Sequence, residues 1–69
     1  MMLKVAKTLD GLVCRIIRAG GECSYRKNTD GSWAMTGDHK APWVSLREID
    51  VPKTARAAIA AVTEDMPLA

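Results

Sequence analysis

Phenylalanine is absent from this chain, histidine occurs once and cysteine twice. Without phenylalanine, and with much of the 48% hydrophobic share held by alanine, the large residues able to build a core are few. Tyr25, Trp33, Met35, Trp43, Val44, Leu46, Ile49, Ile59 and Val62, with the aliphatic side chains of the first eighteen residues, suffice for one thin core. A chain of 69 residues is one domain by length and buries only about 60% of its unfolded surface. Self-association as a homo-oligomer, or a partner, is therefore an expected source of added stability.

The scarcity of histidine and cysteine narrows the chemistry. Cys14 and Cys23 lie nine residues apart rather than in a C-x-x-C pair, and His39 stands alone, so no four-ligand metal set is visible. Nucleophilic catalysis needs His39 beside a thiol or hydroxyl, with an acid such as Asp38 or Asp50 to orient it, and nothing in the spacing brings these together. The glycines at 20, 21, 31 and 37 do not follow a phosphate-cradling pattern. The expectation is a protein that is not an enzyme and takes no cofactor. No apolar run approaches the roughly 18 residues of a membrane span. Lys4, Lys7 and Asp10 interrupt the N-terminal apolar residues, so no continuous signal-peptide core forms. Cytoplasmic residence follows as the expectation, with both cysteines reduced and used as small hydrophobes. The aromatic and cysteine signatures of RNP and C2H2 modules are missing as well.

What the chain does have is an N-terminal segment that separates by face when wound as a helix. At about 100° per residue, Val5, Leu9, Leu12, Val13 and Ile16 share one arc, while Lys4, Lys7, Arg15 and Arg18 cluster opposite. This predicts an amphipathic helix over Leu3–Ala19 that stops at Gly20 and Gly21, with Arg15 and Arg18 at the negative end of its dipole. Gly11 costs that helix about 1 kcal/mol relative to alanine. Thr8 offers an alternative N-cap, with Met1–Lys7 extended instead. The clean separation of faces favours the longer helix.

A hairpin follows, with strands over Glu22–Lys27 and Ser32–Thr36. A two-residue Asp30–Gly31 turn would send the apolar residues of the two strands to opposite sides. A three-residue loop with Gly31 left-handed pairs Tyr25 with Met35 and Lys27 with Trp33, and puts Cys23, Tyr25, Trp33 and Met35 on one face. The second register buries more and is the one expected. Gly37–Pro42 reads as a polar loop. Trp43–Leu46 reads as a third short strand, in competition with a capping box at Ser45 and Glu48 that would make Leu46–Asp50 a helical turn. Asp50 or Val51 caps a second, alanine-rich helix with Pro52 in its first turn and Ala55, Ala58, Ile59, Val62 and Met66 as its buried stripe. Pro67 ends it. The expected fold class is α+β, with an N-terminal helix and a C-terminal helix packed on one face of a small antiparallel sheet.

Charge distribution is the one functional signal. The net charge is only +2, yet residues 1–27 hold six basic and two acidic side chains, and the remainder four basic and six acidic. Lys4, Lys7, Arg15 and Arg18, extended by Arg26 and Lys27 at the hairpin, are the candidate binding residues for an anionic partner. The same residues also serve as an ordinary solvated face. Trp33 and Trp43 fit core packing, or stacking in an interface. Two functions fit: a protein-interaction factor that regulates or inhibits a larger complex, as short phage and mobile-element chains do, using the basic helix face on an anionic protein surface; or a nucleic-acid-binding module using the basic helix and hairpin tip.

Overall fold

Leu3 and Val5, then beyond a turn Leu12, Cys14 and Ile16, recur at every second position, and Val5, Thr8, Val13, Ile16 and Ile17 are β-branched types that favour extended backbone. In the computed structural model, which describes residues 2–37 and 42–65, this segment is a β-hairpin. Strand β1 spans Met2–Thr8 and β2 spans Gly11–Arg18. They are antiparallel, with Val5 opposite Cys14 and Thr8 opposite Gly11. The helix expected over Leu3–Ala19 is absent. The fold is a five-stranded antiparallel sheet with one C-terminal helix, not two helices over a hairpin.

The helical pattern misleads for a geometric reason. A spacing of four is even, so Val5, Leu9 and Val13, or Leu12 and Ile16, match the helix period and the strand period alike. The turn decides between them. Leu9 and Asp10 form a two-residue connection between Thr8 and Gly11, the Thr8 hydroxyl accepts the Asp10 N–H at 3.3 Å and donates to the Gly11 carbonyl at 3.0 Å. Leu9, assigned to the buried stripe, is fully exposed there. Gly11 has a φ of +147°, and a Cβ built on it would overlap the Lys27 carbonyl oxygen and come within 2.9 Å of Asn28 Cα. Only glycine fits that approach of β2 to its neighbour.

The neighbour is β3 (Gly21–Asn28), joined to β2 through Ala19 and Gly20 and paired with Ile16 opposite Cys23. Strand β4 (Trp33–Thr36) pairs Tyr25 with Met35 and Lys27 with Trp33, the register expected from co-burial. Gly31 has a φ of +91° in the intervening loop, and its N–H donates to the Asn28 carbonyl at 3.0 Å. The Asp30 carboxylate accepts the Ser32 hydroxyl at 2.6 Å and the Ser32 N–H at 2.9 Å, which holds its pKa below the usual carboxylate value. Strand β5 (Val44–Leu46) closes the sheet, in the order β1-β2-β3-β4-β5. Ser45 is therefore in a strand and caps nothing. A 3-10 turn at Glu48–Asp50 follows, preceded by Arg47 without a side-chain cap. Arg47 instead pairs with Asp50 at 2.8 Å.

Helix α1 (Lys53–Asp65) begins just after Pro52, whose carbonyl accepts the Arg56 N–H at 3.1 Å. Ala55 and Ile59 are buried, and Ala58 and Val62 half-buried, as its stripe predicts. Met66 and Pro67 lie outside the described residues. The core joins Val51, Ala55 and Ile59 to Cys14, Ile16 and Trp33, with Leu3, Val5, Leu12, Tyr25 and Leu46 packed around them, whereas Val44 on the short last strand and Ile49 in the 3-10 turn, both expected in the core, are exposed. All the strand members of this cluster share one face by register. Burying Ile16 and Ile59, at 1% exposure each, stabilises the fold by about 1.5–3 kcal/mol apiece. The small alanine side chains let α1 lie close over β2 and β1. Among the described residues, no helix lies over the opposite face of the sheet.

Candidate binding face

The uncovered face is defined by the alternation of strand side chains. Lys4 of β1 stands directly opposite Arg15 of β2, Ser24 opposite Thr36, and Arg26 opposite Ala34, with Ser45 next across the sheet. Ser24, Ala34 and Thr36 are small and buried, and Val13, Ile17 and Trp43 are half-buried.

Two arginines on this face are held in place. The Arg15 guanidinium grips the Glu22 carboxylate with Nε and, at 3.0 Å, with Nη2. This forked contact keeps its charge more firmly than in free arginine, against some desolvation. The Arg26 side chain is 18% exposed, and its Nη1 stands 3.9 Å from Asp10 Oδ2. Its Nε donates to Asn28 Oδ1 at 2.6 Å, and its guanidinium carbon lies 4.5 Å from the centre of the Trp43 ring. A cation over an indole face is a favourable electrostatic contact, so Arg26 and Trp43 fix one another.

The six basic residues singled out from sequence do not form one stripe. Lys4, Arg15 and Arg26 lie on the uncovered face. Lys7 and Lys27 flank Leu12 on the helix-bearing face, and the Lys27 ammonium sits 5.9 Å from the Trp33 ring. Arg18, at the end of β2, borders an open depression of about 410 Å³ together with Cys23 and Tyr25. The expected co-facial set is thus split by the pleat. Trp33 is core, as its size suggests, and its indole N–H meets no hydrogen-bond partner among the described residues. Trp43, which the sequence offers for core packing or for stacking in an interface, stands half-buried against Arg26. A strand reading of residues 3–18 would have placed Lys4 and Arg15 together, but the Trp43 contact with Arg26 has no local sequence signal.

Chemistry of other kinds finds little to work with. Among the described residues no group of three or more His, Cys, Asp or Glu could hold a metal ion, and Asp38 and His39 lie outside them. Cys14 is buried, and burial pushes its thiol pKa up, away from the reactive thiolate. No helix among the described residues is long and apolar enough to cross a membrane. No family model, curated protein sequence or solved structure matches the chain.

Proposed function

We propose that this protein is a non-enzymatic, cytoplasmic protein-interaction factor, a regulator or inhibitor of a larger complex, that docks the sheet face bearing Lys4, Arg15 and Arg26 onto an anionic protein surface. The observation that carries the reading is the pre-ordering of Arg15 and Arg26, among half-buried Val13, Ile17 and Trp43, on a face that no helix among the described residues covers. Arginine and tryptophan anchors set in an apolar surround are the composition of interface hot spots. Side chains already fixed lose less rotamer freedom on binding. Lys4 stands directly opposite Arg15, so that two cations lie side by side on this face.

The same Lys4–Arg15 pair and the Arg26–Trp43 stack also favour the second reading, a nucleic-acid module in which phosphates meet the cations and a base meets the indole. The protein reading ranks ahead because the net charge is only +2 and two of the three cations already have carboxylates beside them, which leaves little of the surplus positive charge that phosphate binding draws on. The test is co-purification of the tagged protein and its Arg26→Glu variant after nuclease treatment. The expected result is a stoichiometric protein partner retained by the parent and lost by the variant, with circular dichroism unchanged. Loss of all retention on nuclease treatment, with affinity for a random duplex or single strand falling steeply with salt, would transfer the proposal to nucleic acid. Retention of neither would overturn both.

A further inference from the structure

Beside the link between β2 and β3 lies the depression of about 410 Å³ that the docking face leaves unused. Of the side chains that border it, Ile16, Arg18, Cys23 and Tyr25 stand on the helix-bearing side by register. Two glycines account for the open space. Gly21 stands opposite Arg18, and alternation along β4 puts position 37 on the same side as Met35. A Cβ at either glycine would meet nothing within 4 Å. The depression is apolar at its base and cationic at its rim. Ile16, 1% exposed, forms the floor with half-buried Cys23 and Tyr25, whereas Arg18 is exposed. Glu22 also borders it, but Glu22 pairs with Ile17 and its carboxylate turns to the opposite face, where it holds Arg15. Among the described residues no carboxylate stands within ion-pair distance of Arg18. The Tyr25 phenol lies close to both Cys23 and Arg18: burial and then the thiol push its pKa up to about 12, with the Arg18 charge acting the other way. It stays protonated, and its hydrogen-bond neighbour is the Cys23 sulfur, a weak acceptor. Two donors thus converge over an apolar floor.

We propose that this depression binds a small organic carboxylate with an apolar body, its carboxylate held by Arg18 and the Tyr25 hydroxyl and its body laid over Ile16 and Cys23. Clefts of about 300–1,000 Å³ with apolar walls and a few convergent polar groups are the usual form of small-molecule sites. The guanidinium fork matches a carboxylate in shape as well as in charge. A carboxylate oxygen is also a stronger acceptor for the phenol than the sulfur it displaces. A single arginine suits a monoanion, and the apolar floor favours a ligand body that inorganic phosphate lacks. The site is separate from the docking face, because Arg18 and Tyr25 lie across the sheet from Lys4, Arg15 and Arg26. Either reading stands if the other fails.

Benzoate is the probe, with benzamide as its uncharged isostere and inorganic phosphate as an anion without an apolar body. Titration followed by two-dimensional amide NMR should show saturable shifts for benzoate that centre on Arg18, Gly21, Cys23, Tyr25 and Gly37. Arg18→Gln should weaken benzoate binding by about tenfold or more, the change expected for loss of a charge-assisted hydrogen bond. Benzamide and phosphate should bind the parent more weakly than benzoate by a similar factor. Gly37→Leu, at a position where a new side chain has room, should block the site, and the amide spectrum of each variant confirms that the fold persists. Absence of saturable shifts with benzoate would overturn the proposal. So would shifts centred on Lys4, Arg15 and Arg26, equal affinity for benzamide or phosphate, or an Arg18→Gln or Gly37→Leu protein that binds as the parent does.

Discussion

Replacing Gly11 with alanine separates the hairpin from a helix by the sign of its effect. In a helix interior the change would stabilise the protein by about 1 kcal/mol, since glycine is that much poorer than alanine there. In the hairpin the new Cβ collides with the Lys27 carbonyl oxygen and sits 2.9 Å from Asn28 Cα. Both obstacles are backbone, so no side chain can swing aside. Strand β2 must move away from β3 where Gly11 faces Asn28, and alanine must hold a φ near +147° that side chains avoid. Backbone strain of this kind costs about 1–3 kcal/mol, and loosening the local ladder forfeits about 1 kcal/mol more for each hydrogen bond. A total of about 2–4 kcal/mol is large for a chain of 69 residues, whose whole stability at typical values per residue is about 3–10 kcal/mol. At about 4–8 °C per kcal/mol for a domain of this size, thermal unfolding followed by circular dichroism should show Tm falling by about 10–25 °C. Gly20→Ala is the control, because a Cβ there meets nothing within 4 Å and should change stability by no more than about 0.5 kcal/mol. A Gly11→Ala protein that melts at or above the parent temperature would refute the hairpin and restore the helix.

The docking of α1 predicts a contrast between two isoleucines. Ile59→Ala, at a site 1% exposed, should cost about 2–5 kcal/mol in urea unfolding, whereas Ile49→Ala, at a site 79% exposed, should shift it by less than about 0.5 kcal/mol. Tyr25 is the only tyrosine, so its ionisation can be followed by ultraviolet absorbance. Burial, then the neighbouring Cys23 thiol, pushes its pKa up from 10.0 to about 12. The folded protein therefore keeps a proton that the unfolded chain releases. The stabilisation is complete below about pH 10 and is lost as pH rises through about 12. A native absorbance midpoint near 10, unchanged by denaturant, would contradict this environment.

The second half of the chain was more legible than the first because its signals are positional rather than periodic. Asp30 and Gly31 mark a loop whose length fixes register, and only the three-residue version puts Tyr25, Trp33 and Met35 on one side. Pro52 and the stripe of Ala55, Ala58, Ile59 and Val62, whose spacings of three fit no strand period, mark a helix. The first eighteen residues carry no such punctuation except Asp10–Gly11, where Gly11 also reads as a tolerable cost inside a helix. Two hairpins of similar build then follow each other. Their links are Leu9–Asp10 and Ala19–Gly20.

The ambiguity of period also explains why the candidate face keeps Lys4, Arg15 and Arg26 and loses Lys7, Arg18 and Lys27. In a helix, Lys4, Lys7, Arg15 and Arg18 fall within one arc because their positions nearly repeat every 3.6 residues. In a hairpin the face of a residue depends on whether its number is odd or even, and the two-residue link reverses that parity between β1 and β2. Lys4 and Arg15 therefore meet across the ladder, while Lys7 and Arg18 pass to the helix-bearing side. The acids divide with them. Glu22 comes to Arg15 only because Ile17 pairs with Glu22 in the next ladder, and Asp10 comes to Arg26 only because the first turn lies against the end of β3, where the Thr29 N–H donates to the Asp10 carbonyl at 3.2 Å. Neither contact is visible along the chain, since the first needs the β2–β3 register and the second needs the β1–β2 turn to lie beside that same ladder. The charge total of the first 27 residues is thus a poor guide to the surface, because the ladders set two of its six cations, Arg15 and Arg26, beside carboxylates.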